Sequence, residues 1–126
     1  MRAVDTNLLE RLLVRDDAKQ VTAAEAFVEN GAWVSHLVLV ETLWVLDAVY
    51  ERSAAQIAKA IELLLNHNRL ALQDADVVAS ALESFQARPS LGFADCMVLE
   101  IARKAGHLPL GTFDRSLAKL ADMSRL

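Results

Sequence analysis

Four acidic side chains, Asp5, Glu41, Asp95 and Asp114, occupy positions from which a divalent cation could be held. Carboxylates are acceptors only when ionised, and their hard oxygens suit Mg²⁺ or Mn²⁺ better than zinc. Singly, three of them have ordinary explanations. Asp5 before Leu8 and Asp114 before Leu117 are placed as helix caps, and Asp95 as a first-turn acid on a helix dipole. Glu41 differs, because Val38, Leu39, Val40, Leu43, Trp44 and Val45 surround it on a segment expected to be buried over most of its surface. A buried carboxylate needs a compensating partner, and no Arg or Lys occurs between Gly31 and Glu51. Four such groups in one cleft repel one another, so their convergence makes sense mainly around a doubly charged ion. At about 100° per residue, Glu100 lies roughly 140° around a helix from Asp95 and Asp47 about 120° from Glu41, so both read as surface charges. His36, His67, His107 and the lone Cys96 show no paired spacing and suggest no nitrogen or sulfur metal site.

The elements that must position these acids follow from periodicity. Arg2 to Val4 is a short apolar start ending in Asp5-Thr6-Asn7, after which Leu8, Leu9, Leu12 and Leu13 recur at helical spacing. Ala18 to Asn30 reads as a helix, Asn30-Gly31 as its stop, and Ala32 to Ser35 as a second strand. Leu37 to Tyr50 is expected to be a helix carrying Glu41. Ser53 can cap the next helix, followed by a third strand over Arg69 to Leu72. Asp76 to Phe85 is amphipathic, Arg88-Pro89-Ser90 breaks it, and Phe93 to Lys104 forms a helix closed by Gly106, with Asp95 in its first turn. His107 to Thr112 supplies a fourth strand, and Asp114 is expected to open a last helix through Ala121. Only Met123 to Leu126 then remains for a fifth strand. The alternation predicts an α/β fold: a central, mostly parallel sheet of four to five strands with helices on both faces. In such sheets functional groups gather beyond the carboxyl ends of the strands, where Asp5 and Asp114 fall.

Composition agrees with one domain over residues 1–126: 126 residues, 54% hydrophobic and 24% charged, without repeats or long linkers. One cysteine excludes an internal disulfide framework and points to a reducing cytoplasm. Asp5 interrupts any apolar signal region, and the most apolar stretch, Gly31 to Leu46, is broken by Glu41, so neither export nor a membrane span is expected. A net charge of −4, from 17 acids and 13 bases, weighs against a nucleic-acid partner unless several acids carry metal.

Val4-Asp5-Thr6-Asn7, the single glutamate in Val38 to Leu46, Gly92-Phe93-Ala94-Asp95 and Thr112-Phe113-Asp114-Arg115 together resemble the PIN domain. More narrowly, Gly92 to Gly106 and Gly111 to Leu120 resemble the VapC toxins of prokaryotic toxin–antitoxin pairs, and the resemblance covers essentially the whole chain. Each motif alone is weak; their shared order, spacing and context are specific. The resemblance implies a three-layer PIN-like fold and a Mg²⁺- or Mn²⁺-dependent endoribonuclease with one or two ions. Asp5 and Asp95 would be direct ligands, with Glu41 and Asp114 completing the site directly or through water. Thr6, Asn7 and Thr112 would hydrogen-bond behind them. It further implies a small VapB-like antitoxin whose tail lies in an apolar groove and presents a basic side chain to the site.

The expected reaction is hydrolysis of an RNA phosphodiester by an ion-activated water, with Glu41 or Asp114 as proton acceptor, and the resemblance implies products with 5′-phosphate and 3′-hydroxyl. Arg11, Arg15 and Arg115 are candidates for phosphate contacts, against a default of solvated or ion-paired arginine. Trp33, Trp44 and Tyr50 could line the antitoxin groove or a homodimer interface, although core packing is the default for the tryptophans. A haloacid-type phosphatase is rejected because Asn7 stands where its second Asp belongs. A receiver-like signalling domain finds possible acids in Asp74 and Asp76 but no lysine from His107 to Asp114. A non-catalytic PIN-like binding module is the other alternative. The RNA target, ion number, antitoxin and oligomeric state are not written in these residues.

Overall fold

Four helices begin on a residue whose side-chain oxygen accepts from a backbone N–H three positions on, and these caps set where the chain turns from strand to helix. Asp5, Asp17, Ser35 and Ser53 play this part, and Ser53 and Gln56 form a reciprocal capping box. The computed structural model describes residues 1–126 and divides into two compact units, Met1–Ala75 and Asp76–Leu126.

The first unit runs β1 (Arg2–Ala3), α1 (Thr6–Val14), α2 (Ala18–Val28), β2 (Ala32–Val34), α3 (His36–Ala48), α4 (Ala54–Leu65) and β3 (Leu70–Leu72). Its three strands pair in parallel in the order β1-β2-β3, with Ala3 opposite Trp33 and Trp33 opposite Ala71. Parallel strands need crossovers, and α1–α2 and α3–α4 are those crossovers. Helix α1 packs on α2 and α3, and α4 on β3 and α3. Val4, Leu9, Val34, Leu39, Ile61 and Leu64 are buried as the apolar periodicity requires.

Helix α3 departs from expectation. It buries Leu39, Thr42, Leu43 and Leu46 at helical spacing, while Leu37 is 74% and Trp44 65% exposed, and Glu41 is exposed. Glu41 therefore carries no burial penalty in this chain, and the tryptophans are not core: Trp33 is 40% exposed. A 13-residue helix touching its neighbours along one stripe covers only that stripe, however apolar its other side.

The second unit holds α5 from Asp76 onward (Ala75–Ala87), α6 (Phe93–Ala105), β4 (Leu110–Thr112) and β5 (Met123–Arg125). Pro89–Leu91 forms one 3₁₀ turn between the helices, and Phe85 meets Phe93 edge-on with centroids 6.1 Å apart. Gly106, at φ 81, ends α6 in the left-handed conformation that a Cβ disfavours. The fifth strand does form: β5 pairs in parallel with β4, Thr112 opposite Arg125. The last helix does not. Instead of a helix from Asp114 through Ala121, only a 3₁₀ turn at Leu117–Lys119 is made, because Leu120 is already extended and Asp122, at φ 66, swings the chain into β5.

Candidate functional site

In the first unit, β1 and β2 deliver their carboxyl ends side by side: Val4 N–H donates to Trp33 O at 3.1 Å and Gln73 N–H to Val34 O at 2.8 Å. Gln73 Oε1 also accepts from His36 N–H at 2.8 Å, tying the start of α3 to the end of β3. Asp5 stands at this edge, exposed, and its Oδ1 accepts from Leu8 N–H at 2.9 Å. One cap bond uses one oxygen of a carboxylate and leaves the lone pairs of the other. Asp5 also lines a cleft of about 440 Å³ with Asn7, Arg11 and Gln20. Thr6 is half-buried, and Glu41 stands in α3 on the same side as Leu37 and Trp44, within about 60° at ~100° per residue.

In the second unit, Asp95 sits in the first turn of α6 and Asp114 two residues beyond β4. Partial burial raises the Asp95 carboxyl above its ordinary value, and the charge of Asp114 raises it further. Like-charged neighbours disfavour each other's ionised form, so the direction records their proximity. Asp114 is held at both ends of its residue: its N–H donates to Thr112 Oγ1 at 3.0 Å, and its Oδ1 accepts from Leu117 N–H at 2.9 Å. Glu100 is not a free surface charge, since Arg103 pairs with it at 2.6 Å.

No three His, Cys, Asp or Glu side chains form a ready-made cation cage. The donor chemistry nevertheless fits a hard dication: the acids offer oxygen only, and the Asp95–Asp114 repulsion is of the kind a bound cation relieves. The remaining soft or nitrogen donors are scattered. Cys96 is buried, and burial, with the charges of Asp95 and Glu100, pushes its thiol up. His67 Nδ1 accepts from Arg69 N–H at 3.0 Å, whereas His36 Nε2 is buried without a partner.

The three candidate arginines differ. Arg11 pairs with Asp16 and donates to Tyr50 Oη at 3.0 Å, and this hydrogen bond leads the effects that raise its pKa. Arg15 pairs with Glu25. Arg115 is exposed and, unlike Arg11 and Arg15, forms no ion pair. One residue that sequence reasoning quoted without assigning a role is Phe113, 81% exposed between Thr112 and Asp114. Its place one step beyond β4 was the available signal.

A second cavity, of about 680 Å³, lies among Leu12, Leu13, Ala26, Leu63 and Leu64 and contains none of the four acids. No helix is long and apolar enough to cross a membrane. The model of the PIN domain matches residues 2–123. That domain has a three-layer α/β/α fold of nuclease type, in agreement with the expected fold class. No curated protein and no solved structure matches the chain.

Proposed function

The chain belongs to the PIN-domain family, and from that premise we propose that it is a Mg²⁺- or Mn²⁺-dependent endoribonuclease, the toxin of a type II toxin–antitoxin pair. The observation that carries this reading is the Asp95–Asp114 pair, two carboxylates on separate elements close enough for one to raise the other's pKa. A structural pair of like charges is unfavourable; a functional one is expected where an ion is to be held. The continuous match over residues 2–123 supports treating residues 1–126 as one domain.

Under this reading the candidate ion ligands are Asp5 and Glu41 in the first unit and Asp95 and Asp114 in the second, and a bound ion would supply a Lewis acid that activates water and stabilises the departing oxygen. The cap on Asp5 and the double anchorage of Asp114 each hold one carboxylate in place before any ligand arrives, which lowers the cost of ordering that group. Thr112 positions Asp114 by accepting its backbone N–H, and Thr6 and Asn7, in the first turn of α1, would be hydrogen-bonding groups behind Asp5. Arg115 is the arginine left free for a phosphate, because Arg11 and Arg15 are engaged within the protein.

The partners under this reading are RNA, a VapB-like antitoxin and a second copy of the chain, all in the cytoplasm. Exposed Leu37 and Trp44 flank Glu41 on one side of α3, so a protein seated there would also close access to that acid, as an antitoxin must.

The test is purified protein with Mg²⁺ or Mn²⁺ on structured and single-stranded RNA, beside folded Asp5→Asn and Asp95→Asn variants. Cleavage by the wild type alone, abolished by chelation, is expected. Equal cleavage by all three proteins rejects the assignment.

A further inference from the structure

We propose that Phe113 is a stacking platform for an unpaired nucleobase next to the phosphate addressed by Asp95 and Asp114. The inference rests on the ribonuclease reading and adds to it a residue that positions the substrate.

Three observations carry it. Phe113 is 81% exposed, an apolar ring presented to water beside a candidate catalytic acid. Neither of the molecule's ring contacts, Phe85 with Phe93 and Arg2 over Phe27, involves it, so both faces are left without an aromatic or guanidinium cover. Its backbone is nonetheless anchored on both sides: Leu126 N–H donates to Thr112 O at 2.9 Å, Asp114 N–H to Thr112 Oγ1 at 3.0 Å, and Leu117 N–H to Asp114 Oδ1 at 2.9 Å. A frayed loop exposes rings without consequence; an ordered one that holds a ring in solvent offers a preorganised surface.

Unpaired bases in RNA are recognised by stacking on aromatic rings, and the interaction tolerates any base because each has a π-face. Arg115, two residues on and without an ion pair, supplies a cation for a neighbouring phosphate. Paired RNA keeps its bases stacked internally, so the platform selects loops and single strands.

The experiment uses a single-stranded oligonucleotide carrying 2-aminopurine, whose fluorescence is quenched by stacking, with the 126-residue protein bearing Asp95→Asn to prevent cleavage. Quenching is expected, retained when Phe113→Tyr is added, and lost with Phe113→Ala together with about 5- to 150-fold of the affinity. Unchanged quenching and affinity in the Phe113→Ala protein overturns the proposal, as does a change confined to oligomeric state, which marks the ring as a protein contact. If wild type cleaves RNA and Phe113→Ala binds and cleaves equally well, stacking falls and the ribonuclease reading stands. If wild type cleaves nothing yet quenching depends on Phe113, the ribonuclease reading falls and stacking stands.

Discussion

Asp95 binds its proton more tightly than an ordinary aspartate, first because the start of α6 partly withholds water from it and then because the charge of Asp114 is near. The pair is thus mildly destabilising when both members are ionised, a common cost of a site organised for a ligand.

The pH dependence follows from that direction. Folding raises the Asp95 value above the ordinary 3.8, so the folded state binds more protons than the unfolded chain in this range. Stability of the metal-free protein therefore falls as pH rises from 3.8 through the raised value, and the whole penalty is present above it. Asp95→Asn removes the penalty, so a gain in stability near neutral pH is expected, kept small because Asp95 reaches solvent. Denaturant melts across acidic to neutral pH measure it, and a loss of stability in the variant refutes the prediction.

Divalent ions should reverse the penalty. A ligand that binds only the folded state stabilises it by mass action, about 2.7 kcal/mol at a hundred times its Kd. Mg²⁺ or Mn²⁺ should raise the melting temperature of the wild type, and the rise should shrink in both Asp95→Asn and Asp114→Asn. Equal shifts in all three proteins would place the ion elsewhere.

Asp5 separates capping from chemistry. Asn caps a helix about as well as Asp, so Asp5→Asn should keep the fold while cleavage falls by more than about a hundredfold, beyond the 10- to 100-fold typical of groups behind a ligand. Asp5→Ala should lose about 1 kcal/mol in addition, because Leu8 N–H loses its acceptor. Denaturation and single-turnover cleavage of both variants distinguish the two roles.

Leu9 shows how the core reaches the site. It is fully buried in α1, the helix that Asp5 caps, and Leu9→Ala should cost about 2–5 kcal/mol by leaving a cavity. If urea melts instead show less than about 1 kcal/mol, α1 is not anchored through this side chain.

Where expectation and structure parted, the reason was local ambiguity. Leu37 to Tyr50 is apolar nearly all round, so periodicity indicated a helix without selecting its buried stripe, and both Glu41 and Trp44 were placed inside when they lie outside. Asp114 and Leu117 carry the opening of a helix, but Met123 must enter β5 only a few residues later, and the chain makes a single 3₁₀ turn. The arginines illustrate the same point from the other direction: Arg11 finds Tyr50 at a separation of 39 residues, which no local pattern announces.

What the chain determined by itself is what arises within a few residues: the caps at Asp5 and Ser53, the strand and helix periods, and the four acidic motifs with their family resemblance. The tertiary structure decided which side of α3 meets water, which arginines are already engaged, and that Asp114 stands near enough to Asp95 to help raise its pKa. The division has a physical origin. Caps and periodicity are set by bonds between near neighbours in sequence, whereas burial and electrostatic coupling depend on distances that exist only once remote segments have packed.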